Sequence, residues 1–477
     1  MQVFKLYVFL LFFLSYTIHS DPNKSIQGFY GEKAIGLSGA YTALSDDPSG
    51  LYYNPAGIAF AINDSISVNA SSYQVFRKTY ENVFGPGQSY TRESKNFLPN
   101  FIGVIKTFDK INVGFSVVNV LSMKYYLSGE NNLPLYEPNV LSYKADATEN
   151  SQAFLIGPGL GYKLSSKISL GLSLFYSYDF EDLLLTATID KKDGSVTKNS
   201  IKTKRTTTGI LPILGMQIQA SNKLSIGFSI RRNVTYRHER FMNSNTLNAE
   251  ANGSTFTRNK EFIEVSDRTA VAFDEPVMIY FPNPKVGKVP ELTEGRLGMA
   301  YFYSPRFLFS TDIIYTSSYW HAKRTLGYTT PLNAFVSADN TSMNNINRQS
   351  TLNFALGMEF FLTETFAIRL GTYTNYSNAE RHSNLQMQIS RFYSNPYSPL
   401  PLPVTDKFYY IPTSERTEFI DNFGYSIGFA FESTRSVISL SFIIEKGRGR
   451  GFAFNSMIPQ TIKELNLSAY FSAGTNY

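Results

Sequence analysis

Cysteine is absent from the 477 residues, and tryptophan occurs once. Without cysteine there is no lipoprotein anchor, no disulfide framework and no thiolate metal site. The absence also suits passage through an oxidising compartment. Histidine is scarce, with four copies. His19 is expected to leave with an export signal, and His238, His321 and His382 have no adjacent Ser or Asp motif. Neither a nucleophile–base centre nor a metal site at ligand spacing is expected, so the chain is read as non-enzymatic and without a cofactor. Charge is low too, 17% of residues against about 25% in a typical soluble domain. After the first twenty residues no apolar run approaches the roughly 20 residues that a membrane-spanning helix needs.

What is abundant is aromatic: 39 Phe and 32 Tyr, at a mean hydropathy of only −0.17. Many aromatics, few charges and middling hydropathy fit strands that are apolar on one face and polar on the other. The net charge of +6 is dispersed. Nucleic acid is therefore not expected as a partner, and phosphate-rich lipid headgroups at a membrane surface are the better fit. The start of the chain has an address. Lys5 is followed by an apolar run from Leu6 to Ile18, then His19-Ser20 before Asp21. This predicts a cleavable export signal over residues 1–20.

From Ser65 onward one unit recurs. The strand Ile168, Leu170, Leu172, Leu174, Tyr176 follows the turn Ser165-Ser166-Lys167, with Ser169, Gly171, Ser173 and Phe175 on the alternate face. A period of two places these sets on opposite faces, one toward lipid and one toward a lumen. Similar tight turns lie at Asp109-Lys110, Ser221–Lys223, Ser304–Arg306, Thr363-Glu364 and Ser433–Arg435. Six hairpins, a first strand over Ser65–Arg77 and an alternating last strand to Tyr477 give about fourteen strands, an even count suited to a closed transmembrane antiparallel barrel. The fold class is all-β. Long polar loops are expected near 78–96, 127–149, 183–208, 241–293, 323–349, 381–420 and 448–462, with a projecting hairpin at Asp193-Gly194. A terminal aromatic on an amphipathic last strand points to the barrel assembly machinery as a partner.

Residues 21–63 do not look like barrel. Gly36–Ala43 is dense in small residues, Asp46-Asp47 precedes Pro48, and Asn54-Pro55-Ala56 forms a turn-initiating triplet. Pro55 restricts Asn54 to extended backbone, so its amide can be held at one angle. The order of these three features resembles the hatch of the long-chain fatty acid transporter (FadL) superfamily of outer-membrane channels. Val289-Pro290-Glu291, Leu297–Tyr301 and Asp312–Trp320 resemble that family's mid-chain strand pair, with two extra residues before the Trp.

The resemblance implies a hatch over 21–63 inside a barrel over 64–477. It also implies passive uptake of hydrophobic molecules such as fatty acids or hydrocarbons, in an outer-membrane protein expected to be monomeric. Asp46, Asp47, Asn54, Pro55 and Ala56 would form the gating hatch, and the ligand would leave sideways at a kinked strand. An outer groove is expected at Val277, Met278, Ile279, Tyr280 and Phe281, with Phe392–Pro403 as a second candidate. Arg231, Arg232 and Arg237 are candidates for a carboxylate head or for lipid phosphate. The competing reading is a FadL-like barrel that serves a secretion system as shuttle or scaffold.

Overall fold

The computed structural model describes residues 24–82, 86–87, 89–131, 140–250, 253–265, 268–273, 278–282, 291–319, 325–329, 335–339, 348–379, 418–451 and 460–476. The expected export signal lies outside them.

Fourteen strands form the wall. They are β1 (Ser65–Tyr80), β2 (Tyr90–Thr107), β3 (Ile111–Asn131), β4 (Val140–Lys163), β5 (Ile168–Lys191), β6 (Val196–Ser221) and β7 (Leu224–Arg232), then β8 (Thr293–Ser304), β9 (Phe307–Thr316), β10 (Thr351–Phe361), β11 (Phe366–Asn375), β12 (Phe419–Glu432), β13 (Ser436–Gly451) and β14 (Gln460–Asn476). Each pairs antiparallel with the next. β14 returns to β1, from Ser65↔Asn476 to Tyr80↔Ile462. Closure removes the edge that lipid could not hydrate. All six predicted turns are the tight connections, at the end where β1 begins and β14 finishes.

The period-two reading of the faces holds. Leu170, Leu172 and Leu174 are 44%, 39% and 46% exposed on the outer face, while Ser169, Ser173 and Phe175 are fully buried. A leucine facing lipid keeps its apolar environment, and the inward serines serve another purpose, described below.

The expected polar loops are shorter than anticipated. β1, β2, β3 and β4 run through most of 78–96 and 127–149, and β5 and β6 continue to a turn at Asp193-Gly194, where Gly194 has φ 83°. The outer half of β6 pairs with Val234–Ala249, and three further strands follow, Thr255–Val265, Arg268–Phe273 and Met278–Pro282. The wall thus continues outward as a projecting sheet. The physical reason is plain: Thr-, Ser- and Lys-rich segments have the polarity of loops, but their backbone groups still need partners, and the neighbouring strand supplies them.

Within the wall sits the segment 24–64. It contains two helical turns, α1 (Glu32–Gly36) and α2 (Gly50–Tyr53), and a 3-10 turn, Gly57–Phe60. Helices this short do not stand alone in water. Buried side chains of the segment pack with wall residues: Leu37, Tyr41, Leu51 and Ile58 cluster with Phe101, Val118, Phe175 and Ile213.

Candidate functional site

At several wall glycines the plug's backbone lies against the wall with no room for a side chain between them. A Cβ on Gly171 would overlap the Pro55–Ala56 peptide, one on Gly227 would overlap the Thr42 carbonyl, and one on Gly357 would come within 2.7 Å of Leu37 Cβ. Where the wall is not glycine it offers short polar side chains. Ser169 Oγ donates to Ala56 O at 2.8 Å, Ser225 Oγ to Ala43 O at 2.7 Å, Ser229 Oγ to Tyr53 O at 2.8 Å and Ser426 Oγ to Gly36 O at 2.7 Å. Asn112 Nδ2 reaches Ile58 O at 2.7 Å and Gln217 Nε2 reaches Ala43 O at 3.0 Å. Asp312 accepts from Thr42 N at 3.1 Å and Thr42 Oγ1 at 2.5 Å. An irregular segment has few internal backbone partners, and unpaired buried peptide groups are costly, so the inward serines and asparagines of the strands complete it.

Asn54 is a junction in this seat. Its Nδ2 donates to Thr42 O at 2.8 Å within the plug and to Met216 O of β6 at 3.2 Å, while Oδ1 accepts from Ala56 N at 3.2 Å. Asp46 accepts from Tyr41 Oη at 3.1 Å. Asp47 Oδ1 accepts from Ser49 N at 2.7 Å and Ser49 Oγ at 2.5 Å, and its Oδ2 is buried without a partner among the described residues. Burial pushes the Asp47 carboxyl up to about 6, with the neighbouring Asp46 and Glu32 adding to the shift and the Ser49 hydrogen bond opposing it. Asp46 holds the Lys33 ammonium well above the ordinary lysine value despite burial.

Ion pairs add two anchors. Arg369 of β11 is fully buried, with Nη1 2.9 Å from Glu32 of α1, Nε 2.6 Å from Glu359 of β10, and Nη2 paired with Glu432. Glu294 of β8 lies 2.7 Å from Arg231 and 2.6 Å from Arg296. These guanidinium groups lie 4.4 Å from the Tyr52 ring centre and 5.5 Å from that of Tyr53, a cation–π contact that holds α2.

One seam of the wall is incomplete. β2 and β3 pair only from Phe101↔Val118 to Thr107↔Asn112, seven pairs, fewer than the roughly 9–11 residues a tilted strand needs to cross a bilayer. Beyond Phe101 and Val118 both strands continue with no ladder pair between them among the described residues. Irregular pairing marks the same place, at Asn69/Ala70, Ser71/Gln74 and Asn119/Leu121. Side chains bridge the seam instead. Asn100 Nδ2 donates to Phe29 O at 3.0 Å, Tyr30 Oη to Val120 O at 3.4 Å, and Lys124 N to Ser94 Oγ at 2.9 Å. Further out, Arg92 of β2 pairs with Glu149 of β4 at 2.8 Å. The plug's first residues therefore face the seam, and beside them lies a cavity of about 90 Å3.

The structure brings Asp46, Asp47, Asn54, Pro55 and Ala56 into the plug, and Asn54 and Ala56 into contact with the wall. Val277 and the Phe392–Pro403 segment lie outside the described residues. Met278, Ile279, Tyr280 and Phe281 belong to a strand of the projecting sheet, paired with Arg268–Ala272, where a loop was expected; their side chains lie outside the description. The three arginines do not converge. Arg231 is buried against Glu294, which sets aside the lipid-phosphate reading for it, while Arg232 pairs with Glu291 and Arg237 with Glu239. His238 is hydrogen-bonded to Thr207 Oγ1 at 2.9 Å, and His321 and His382 lie outside the described residues. Sequence reasoning missed Arg369, Glu294 and the broken seam. A charged residue on an inward strand position was the available signal for the first two.

No protein-family profile and no curated protein matches the chain. Solved structures do. The Pseudomonas putida toluene transporter TodX aligns over 97% of this chain and all of its own, with a TM-score of 0.58 at 13% identity. A Pseudomonas aeruginosa FadL homologue aligns over 96% and all of its own length, with 0.54 at 11%. The monoaromatic hydrocarbon channel CymD aligns over 95% and 98%, with 0.52 at 11%. At such identities the likeness speaks for architecture, and it does so over nearly the whole length of both partners. The chain has the fold of the FadL-type outer-membrane barrels.

Proposed function

We propose that the protein is a non-enzymatic outer-membrane channel for passive uptake of small hydrophobic molecules, with a lateral exit at the β2–β3 seam. The observation that carries this reading is the seam itself. A closed barrel satisfies every backbone group inside the bilayer. Here the ladder stops after seven pairs, and plug side chains and backbone take over some of the bonding. A molecule in the lumen beside Phe29 and Tyr30 would meet such bridges, rather than a continuous β2–β3 ladder, between it and lipid. A straight aqueous pore offers an acyl chain nothing, whereas each buried methylene gains about 0.8 kcal/mol. The tight seat of residues 36–61 blocks a straight path to the periplasmic end and supports a sideways one. In this reading residues 21–63 are the hatch, Asn54-Pro55-Ala56 is its fixed point, and the stretch before α1 is the part that yields. Fatty acids and aromatic hydrocarbons are both candidate ligands, and the names of the structural neighbours support the second.

The test uses the absence of native cysteine. Arg92→Cys and Glu149→Cys replace an ion pair that straps β2 to β4 across β3, and a short bis-methanethiosulfonate, which forms a disulfide with each cysteine and releases methanesulfinate, then ties the seam shut. Uptake of labelled toluene and oleate is measured in cells with matched amounts of folded barrel. Bridging is expected to lower uptake at least tenfold, and reductant to restore it. Unchanged uptake in the bridged protein sinks the lateral exit. If wild-type protein raises uptake of neither probe, the channel reading yields to a secretion shuttle or scaffold.

A further inference from the structure

The 90 Å3 cavity lies between the stretch 24–29 of the plug and the inner faces of β1, β3, β11, β13 and β14. Its lining holds apolar side chains, Phe29, Phe76 and Ile443 among them, and a polar set that includes Lys24, Glu445, Glu464 and Asn466. An apolar cavity of about 150 Å3 takes a benzene ring, so this one takes a head group and the first carbons of a chain.

The hydrogen-bond inventory of the polar set is one-sided. Lys24 Nζ is committed to Glu445 at 2.9 Å and Glu464 at 2.8 Å. Burial works against its charge, yet the two carboxylates hold its pKa above that of free lysine, so it stays an ammonium. Lys78, which also lines the cavity, donates to Glu418 at 2.6 Å, and Arg92 pairs with Glu149. Of these groups Lys24, Lys78, Glu445 and Glu464 line the cavity, two cations against two carboxylates. Two of the nearby donors are turned to the same acids, Tyr373 Oη to Glu445 at 2.6 Å and Asn466 Nδ2 to Glu445 at 3.1 Å and Glu464 at 2.9 Å, while Gln74 Nε2 donates to Tyr470 Oη at 3.0 Å. Asn466 is 7% exposed, and its Oδ1 is buried with no partner among the described residues. Both lining cations are committed to carboxylates, and the surplus is of acceptors. A ligand carboxylate would lose its water and meet no uncommitted cation. A ligand donor would satisfy an orphaned acceptor and gain from the carboxylates.

We propose that this cavity is a subsite for amphiphiles whose head donates hydrogen bonds, a primary amine foremost and an alcohol next, and that it discriminates against carboxylates. This rests on the channel reading above and refines its ligand. It also separates the chain from a channel tuned to fatty acids.

The test is equilibrium binding of labelled dodecylamine, dodecanol and dodecanoate to the purified full-length barrel in amphipol at neutral pH. Dodecylamine is expected to bind at least tenfold more tightly than dodecanoate, with dodecanol between them. Glu464→Gln should narrow the amine–carboxylate ratio at least fivefold. Lys24→Met, which vacates the ammonium's place between two carboxylates, should widen it, a response that mere loosening of the plug would not give. If a variant fails to fold, as read by heat-modifiable mobility, the wild-type ratio decides alone. Dodecanoate binding as tightly as dodecylamine overturns the subsite and leaves the channel reading standing. No binding of any probe by folded protein overturns both.

Discussion

Residues 36–61 of the plug are mostly buried and residues 24–31 partly so, and the wall holds them by different means. The first stretch rests on wall glycines and short serines, backbone against backbone, with the Glu32–Arg369 pair just ahead of it. The second is held by long side chains, Lys24 to Glu445 and Glu464, Asn375 to Ile26 and Asn100 to Phe29, with a cavity beside it and the broken seam in front. Interiors packed backbone to backbone have no slack. A segment held by a few side-chain contacts can be released by breaking a few. The comparison assigns the fixed and yielding parts of the plug from chemistry alone, and it can be broken at either end.

The largest effect is expected from filling the close seat. Gly171→Leu places a branched side chain where the Pro55–Ala56 peptide lies, and the folded, plugged barrel should be lost. Gly295→Ala, where nothing lies within 4 Å of the new Cβ, should leave it intact. Heat-modifiable mobility reads both. Equal survival of the two variants would mean that the plug is not seated against β5.

Next comes the ionic anchor. Arg369→Met leaves Glu32, Glu359 and Glu432 without their shared cation, and removal of one partner from a buried charge cluster costs about 3–5 kcal/mol. Thermal unfolding should show it, and hydrogen exchange should localise the loss to α1 and its neighbours. A smaller, local loss is expected at the other end. Asn375 both accepts from Ile26 N at 3.2 Å and donates to Ile26 O at 2.7 Å. Asn375→Ala should cost about 1–3 kcal/mol, expressed as faster exchange over residues 24–29 with 42–61 unchanged. Equal acceleration in both stretches would dissolve the distinction between them.

Much of the barrel was legible because membrane strands repeat one simple pattern. Leu170, Leu172 and Leu174 had to face lipid, and the turn Ser165-Ser166-Lys167 had to separate two such strands. The loops were misjudged because Thr186, Thr188 and Lys198 look the same in a loop as in a solvated ladder. The lumen was the hardest to see. Ser173 points inward as its period requires, yet it meets no open water: it is fully buried near Leu51. Which inward serine serves the plug, and which glycine clears it, depends on contacts between segments a hundred or more residues apart. Asn54 was singled out from its proline neighbour, and its bond to Met216 O is one such contact. The seam had one signal that the strand pattern passed over, Pro99 of β2, which has no N–H to give a ladder and lies where the β2–β3 pairing stops.

The smallest predicted effect concerns Asp47 and pH. Its carboxyl is pushed up to about 6 in the folded protein, by burial first and then by Asp46 and Glu32. The folded form therefore binds a proton more readily than the unfolded chain, in which aspartate titrates near its usual value of about 3.9. A raised pKa stabilises the fold when the proton is on. The contribution is fully present below about pH 4 and is lost as the pH rises through about 6. The acidic stretch should accordingly exchange backbone hydrogens more slowly at pH 4.5 than at pH 7.5, once intrinsic rates are divided out, over residues 47–53. Asp47→Asn keeps the oxygen that accepts from Ser49 and cannot titrate, so it should flatten that dependence while leaving exchange over 24–29 as it was. Persistence of the full pH dependence in Asp47→Asn would move the titration to another group.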